Sequence, residues 1–263
     1  MLNYLVSHPG GDHITGDLHI PGSKSIHQRL LILKHLYAPH LAIENPSTSN
    51  DARVLTDALK NISVYRNSGS TIDIEDAGTP ARLLLPVLAM TPGTWTLTGT
   101  DRMKQRPMSD LIDSLLKLGF DVQYIEKDGF LPIRVNGQEK PVKEVLDIEI
   151  DGSKSSQFTS AMVLAAPTLA RLVNIHIRGQ ISSRPYLELS LELLKQFGYE
   201  VSWVNEEQLT ISGGSQTPEK YTVESDWSSI SYWFSIACLS EKSEIAISSV
   251  SKKPLQGDSA ILE

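Results

Sequence analysis

Apolar residues in this chain follow a helical rhythm in some stretches and a strand rhythm in others, and the alternation itself repeats. In QRPMSDLIDSLLKLGFDV, starting at Gln105, and in SRPYLELSLELLKQFGYEV, starting at Ser183, apolar positions recur at helical spacing after an Arg-Pro start. The first run stops at Gly119 and the second at Gly198. Proline just inside a helix start and glycine just past its end are the expected boundary residues, because proline's φ is already helical and glycine reaches positive φ freely. SNDARVLTDALKNISV, from Ser49, is a looser third copy with Asn50 or Asp51 predicted as its N-cap. A second kind of helix precedes each copy. The predicted starts are Ser23 (SKSIHQRLLIL), Thr79 (TPARLLLPVLAM) and Ser153 (SKSSQFTSAMVL), with a fourth at Asp226 (DWSSISYWFSIACL). Strand-like stretches such as LAIENP, TWTLTG and NIHIRG follow these helices. Hairpin-like pairs, FDVQYI with LPIRVNG for example, follow the second helices.

The repeating unit is therefore helix, strand, helix, strand, strand, opened by one further strand. This predicts an α+β protein built of repeated βαβαββ units. Units of about seventy residues are longer than the ~20–50 of solenoid repeats, so the units are expected to pack into one domain. Three of them fill roughly residues 23–224, and LQGDSAILE reads as the start of a second helix in a fourth. The predicted organisation is a split first domain begun by residues 1–22, a complete middle domain over 23–225, and an incomplete return into the first domain over 226–263. Crossings are expected near Pro21-Gly22 and Glu224-Ser225-Asp226.

Composition changes this picture little. Of 263 residues, 40% are hydrophobic and 21% charged, which is ordinary for a globular chain. No apolar run approaches the ~20 residues of a membrane span, and the first residues lack the basic and apolar regions of a signal peptide. The single cysteine, Cys238, lies in SYWFSIACL and is expected to be a small buried hydrophobe. One cysteine forms no internal disulfide, which fits a cytoplasmic protein. The net charge of −7 argues against a nucleic-acid surface. An acidic protein binds anions only where its cations are gathered locally.

Such gathering is visible. Lys24 lies in the first turn of SKSIHQRLLIL, where Ile26, Leu30 and Leu33 form the buried stripe and Ser25 and Arg29 share a face. A cation there opposes the helix dipole by roughly 0.3–1 kcal/mol, unless a bound anion reverses the effect. Arg82, Arg106, Lys154 and Arg184 repeat the pattern at other predicted helix starts. A Walker phosphate loop is excluded, because the residues before Gly22-Ser23-Lys24 lack its glycine spacing. Gly78-Thr79-Pro80 supports either a tight turn, with Thr79 as N-cap and Pro80 at N1, or a ligand brought too close to the backbone for a side chain. Ser155, Ser156 and Gln157 suit either phosphate binding or plain capping. Six of the seven histidines (His8, His13, His19, His27, His35 and His40) precede residue 41 without metal-ligand spacing and are expected at solvated or edge positions. A serine-hydrolase elbow is absent.

PGSKSIHQR, DAGTPAR, LTGTDRMKQRP, DGSKSSQF, SSRPY and VESDWSSISYW together, in order and spacing, resemble the 5-enolpyruvylshikimate-3-phosphate synthase family of enolpyruvyl transferases. The resemblance implies an inside-out α/β barrel of two domains. It also implies transfer of the enolpyruvyl group of phosphoenolpyruvate to the 5-hydroxyl of shikimate 3-phosphate, with release of phosphate. It implies a monomer that needs no metal or organic cofactor. By the same resemblance Lys24 is catalytic and lies between both substrates, while Ser25 and Arg29 hold shikimate 3-phosphate. Ser155, Ser156 and Ser183 bind the phosphate and hydroxyls of that substrate, and Tyr186 packs on its ring. Gly78, Arg106 and Gln157 hold phosphoenolpyruvate, with Asp76, Thr79, Arg184 and Asp226 as further candidates. Asp76 stands where the family usually has Asn. The family's catalytic Asp, its Glu-Lys pair and further cations for phosphoenolpyruvate come from segments beyond residue 263, so the chain alone is expected to be inactive. Two alternatives stay open. One is the sister UDP-N-acetylglucosamine enolpyruvyl transferase, whose usual loop cysteine is missing from TGTDRMKQRP. The other is a non-catalytic protein that only binds shikimate 3-phosphate.

Overall fold

Two of the predicted units are complete in the computed structural model, which describes residues 13–214 and 216–262. The chain begins with β1 (His13–Leu18), α1 (Lys24–Tyr37), β2 (Ala42–Glu44) and α2 (Asn50–Val64). One full unit follows: β3 (Thr71–Asp73), α3 (Gly78–Met90), β4 (Gly93–Thr98), α4 (Ser109–Lys117), β5 (Asp121–Tyr124) and β6 (Ile133–Gly137). The next comprises β7 (Lys143–Asp151), α5 (Ser156–Ala165), β8 (Ala170–Arg178), α6 (Arg184–Gln196), β9 (Tyr199–Asn205) and β10 (Gln208–Gly213). After them come β11 (Lys220–Thr222), α7 (Trp227–Leu239), β12 (Lys242–Ile247) and a 3₁₀ turn over Gly257–Leu262, where a helix start had been expected.

The sequence repeat is a repeat in space. The two four-stranded sheets have the orders β3-β4-β6-β5 and β7-β8-β10-β9, each with one parallel pair followed by an antiparallel hairpin. The first unit departs from the expectation of a hairpin after every second helix. Residues 65–70 join α2 directly to β3, too few to form one. Its β2 pairs in parallel with β11, from the far end of the three units, through Ala42–Lys220, Ile43–Tyr221 and Glu44–Thr222.

The first helix of each unit is a core helix. Every residue of α3 from Gly78 to Ala89 except Thr79 is buried, and so is every residue of α5 except Gln157. Helix α1 carries the predicted stripe of Ile26, Leu30 and Leu33 but also buries His27, Gln28 and Arg29. The second helices are amphipathic, α4 burying Leu111, Ile112 and Leu115 and α6 burying Leu187, Leu191 and Leu194. Each such side chain contributes about 1.5–3 kcal/mol when fully buried. Serine caps recur at the helix starts: the hydroxyls of Ser23, Ser49 and Ser155 accept from the backbone N–H of Ile26, Ala52 and Gln157. The cap of α2 is thus Ser49 rather than Asn50 or Asp51. Helix α3 begins at Gly78, which places Thr79 and Pro80 inside the first turn instead of at its cap.

Beside the three units, β1 and β12 pair in parallel and α7 packs on them through Ile20, Trp227 and Ile230, with Leu18, Trp233, Phe234 and Ile247. Where the crossings were expected, Gly22 and Ser225 pair in an isolated bridge, and the Asp226 N–H donates to the Pro21 carbonyl at 3.1 Å. Burial along α7 is limited to Trp227 and Ile230, in its first turn. Two strands cover only that end of the helix, so Cys238 near the other end is exposed and not a core hydrophobe. Among the described residues no helix is long and apolar enough to cross a membrane.

His27 is a further correction, for it is buried and its Nδ1 accepts the Ser47 N–H at 3.1 Å. His8 lies outside the described residues. Burial holds His27 below its ordinary value of 6.5, and burial together with Arg66 does the same for His35. Below pH 6.5 the unfolded chain takes protons that the folded chain refuses, so stability should fall as pH drops from 7 towards 5. In thermal melts His27→Gln should show a shallower fall over that range. An unchanged slope would remove His27 from this account.

Candidate active site

Two adjoining clefts open where the starts of α1, α3 and α5 converge. The first, of about 610 Å³, is lined by Lys24, Asp51, Asp76, Gly78, Thr79, Arg102, Arg106 and Gln157. The second, of about 410 Å³, is lined by Lys24, Ser25, Arg29, Thr79, Lys154, Ser155, Ser156, Gln157, Ser182, Ser183 and Tyr186. Lys24, Thr79 and Gln157 belong to both. A cation shared between two polar clefts can neutralise charge on either side of the junction.

The first cleft holds its cations loosely. The Lys24 ammonium lies 3.4 Å from the Asp51 carboxylate, both partly exposed. Asp51 sits in the first turn of α2, where the helix dipole favours an acid. Among the described residues neither Arg102 nor Arg106 pairs with a carboxylate. Arg106 reaches only the Asp76 carbonyl, at 3.5 Å, while the Asp76 carboxylate accepts from the Thr100 hydroxyl. The Arg106 guanidinium lies across Gly78, so close that a Cβ there would stand 2.1 Å from its terminal nitrogen.

Arg106 does not begin a helix. A 3₁₀ turn, Met103–Gln105, precedes it, and α4 starts only at Ser109. Met103 and Met108 are fully buried and anchor the segment on both sides of Arg106. Arg82 is buried underneath. It donates to the carbonyls of Gly78 and Pro107, both at 2.9 Å, and so ties the start of α3 to the residue after Arg106. Burial, with the nearby Arg106 charge, brings its pKa down to about 10.

In the second cleft Arg29 is only 2% exposed. Its Nε donates to Ser190 at 2.7 Å, one terminal nitrogen to the Ser25 carbonyl at 2.9 Å, and the other to Ser160 and the Tyr186 carbonyl, both at 3.2 Å. Those acceptors are all neutral. Burial brings the Arg29 pKa down to about 10, so it remains charged at neutral pH without a carboxylate partner among the described residues. Ser183 takes a left-handed backbone, φ 52°, ahead of α6 and makes no side-chain cap bond. A non-glycine residue held there costs of order 1 kcal/mol and commonly belongs to a ligand site.

Twelve of the fourteen sequence candidates line one or both clefts, namely Lys24, Ser25, Arg29, Asp76, Gly78, Thr79, Arg106, Ser155, Ser156, Gln157, Ser183 and Tyr186, and Arg184 and Asp226 lie outside.

 Arg184 turns away, pairing with Glu188 at 3.1 Å and lying over the Trp203 ring at 4.6 Å. The Asp226 carboxylate takes hydrogen bonds from Gln256 at 2.8 Å and Ser229 at 2.9 Å. Of the other helix-start cations, Lys154 lines the second cleft and Arg82 lies buried beneath the first. Sequence reasoning missed Asp51, Arg102 and Ser182. Asp51 was visible only as a capping acid, and nothing in its spacing from Lys24 indicated an ion pair.

The family described as EPSP synthase (3-phosphoshikimate 1-carboxyvinyltransferase) matches residues 9–263. The chain belongs to this family. It is 37% identical over 258 residues to the 3-phosphoshikimate 1-carboxyvinyltransferase of Bacteroides fragilis (strain YCH46), covering 98% of this chain and 60% of that protein. The enzyme of the same name from Shewanella piezotolerans is 35% identical over 269 residues, covering 94% and 62%. The chain thus spans about three fifths of the length of these curated relatives. A solved EPSP synthase from Acinetobacter baumannii superposes with a TM-score of 0.71 at 20% identity, over 92% of this chain and 57% of that one. That likeness extends the family's mixed helix-and-sheet fold to this chain, as its repeated units had led us to expect.

Proposed function

We infer that this chain carries the shikimate 3-phosphate side of an enolpyruvyl transferase, which moves the enolpyruvyl group of phosphoenolpyruvate to the 5-hydroxyl of that substrate and releases phosphate. This is a step of the shikimate pathway, in the cytoplasm. The observation that carries the reading is the pair of joined polar clefts with Lys24 in both walls.

Shikimate 3-phosphate occupies the second cleft, where Ser155, Ser156 and Ser183 meet its phosphate and hydroxyls. Ser25 and Arg29 hold it from α1, and Tyr186 packs on its ring. Phosphoenolpyruvate occupies the first cleft, against the Gly78 backbone, Arg106 and Gln157. Lys24 is the catalytic residue of this wall. It neutralises charge building on the phosphate as that group departs, and such donors contribute most where charge develops. In this reading residues 23–225 are one domain, and residues 1–22 and 226–263 belong to another.

Calorimetric titration of the 263-residue chain tests the proposal. Shikimate 3-phosphate should bind, and phosphoenolpyruvate should bind more tightly once it is present. No binding of shikimate 3-phosphate at millimolar concentration would overturn the reading. Tighter binding of a UDP-sugar would favour the sister enzyme.

A further inference from the structure

We propose that Lys154 is a second phosphate-gripping cation of the second cleft, held aside by Asp110 until a phosphomonoester enters. The inference rests on the substrate assignment above and adds a residue pair to it.

A phosphomonoester brings nearly two negative charges and three strong acceptor oxygens at neutral pH. The cleft offers it three cations, Lys24, Arg29 and Lys154. Arg29 has five N–H groups. Four of them are engaged by Ser190, Ser160 and the carbonyls of Ser25 and Tyr186, which leaves one for a ligand. Lys24 is shared with the first cleft and paired with Asp51. The serines are neutral donors. Lys154 is the cation that belongs to this cleft alone and is not buried in internal hydrogen bonds.

Its ammonium lies 2.9 Å from one oxygen of Asp110 at the start of α4, with the lysine side chain 56% exposed. The other Asp110 oxygen is buried without a hydrogen-bond partner, so the lysine is its main support. Asp151 and Asp113 add to the negative field around the ammonium. The pair is open to solvent at its lysine end and largely buried at its Asp110 end, 56% against 12% exposed, and a phosphate dianion attracts an ammonium more strongly than one carboxylate does. The flexible lysine stem allows the exchange without backbone movement.

The test is calorimetric titration of the 263-residue chain with shikimate 3-phosphate, shikimate and inorganic phosphate. It uses Lys154→Met, Lys154→Arg, Asp110→Asn and the double variant Lys154→Met with Asp110→Asn. Lys154→Met should weaken shikimate 3-phosphate binding about tenfold, the size expected of one charged hydrogen bond, and leave shikimate binding unchanged. Lys154→Arg should retain most of the affinity. Asp110→Asn should strengthen binding, and that gain should vanish in the double variant, since an exchange needs both partners. Unchanged shikimate 3-phosphate affinity in Lys154→Met overturns the proposal. So does a gain from Asp110→Asn that persists without the lysine, because it would then be a general field effect. If the unsubstituted chain binds no shikimate 3-phosphate, the proposed function fails. Inorganic phosphate then decides the lysine's role: weaker binding in Lys154→Met supports it, and equal binding overturns it.

Discussion

Lys24→Ala should weaken binding of both proposed substrates by roughly tenfold to a hundredfold, the range for lost hydrogen bonds to charged groups, and leave the melting of the empty chain almost unchanged. Lys24 opposes the dipole at the start of α1, and its one ion pair among the described residues, with Asp51 at 3.4 Å, is partly exposed to water. Such a pair contributes about 0–1 kcal/mol, roughly what the helix regains when the cation leaves. Arg29→Ala makes the contrast. Four buried or half-buried acceptors would lose their donor, and each one left unsatisfied costs about 1–3 kcal/mol. That variant should therefore lose both stability and affinity. Thermal melts with and without shikimate 3-phosphate separate the two roles. If Lys24→Ala unfolds the chain and leaves ligand affinity intact, Lys24 is structural and the argument from misplaced helix-start cations fails.

What could be read from the sequence depended on how local the cause was. The Arg-Pro start of α6 and the glycine stops of α4 and α6 are boundary chemistry within a few residues, and the strands after them follow from alternation. Helix α1 shows where that reasoning stops. Its stripe of Ile26, Leu30 and Leu33 is correct, but His27, Gln28 and Arg29 are buried as well, because α2, α3, α5 and α6 all pack around it. Arg29 was expected only as a ligand for shikimate 3-phosphate and is also the centre of a buried hydrogen-bond network. The partner of β2 is equally remote, because β11 lies almost 180 residues further on. That distance is why the first unit was expected to end in a hairpin of its own.

The site shows the same division. Misplaced cations and neutral donors pointed to Lys24, Arg106, Lys154, Ser155, Ser156 and Gln157 in the clefts, because a charge against a helix dipole is a local conflict that an external anion resolves, whereas Asp76, Ser183 and Tyr186 were reached only through the family resemblance. The ion pairs Lys24–Asp51 and Lys154–Asp110 join separate helices or their approaches and leave no such mark. Arg184 broke the same local rule and lies outside the clefts, since Glu188 one turn later and the face of Trp203 satisfy it. Asp226 is likewise engaged by Gln256 and Ser229.

Gly78→Ala should lower affinity for phosphoenolpyruvate at least tenfold and leave shikimate 3-phosphate binding and the melting temperature nearly unchanged. The sequence offered two reasons for a glycine here, a tight turn or a close ligand. The geometry adds a third: a methyl group at this position would meet the Arg106 guanidinium at 2.1 to 2.6 Å. The helical backbone of Gly78 tolerates alanine, and the obstructing atoms are the far end of a flexible side chain, so the fold can yield. Arg106 cannot stay. Its neighbours Met103 and Met108 are pinned in the core, which leaves the guanidinium to swing away from the first cleft while its backbone remains in place. The variant would then remove the cation's position and retain its charge, and a loss of about tenfold corresponds to one charged hydrogen bond no longer made. Arg106→Ala should produce a similar loss, and combining the two substitutions should add little, because both act through the same guanidinium. Additive losses in the double variant would mean that the methyl group acts on the ligand directly, and the contact between Gly78 and Arg106 would then not be the reason for the glycine.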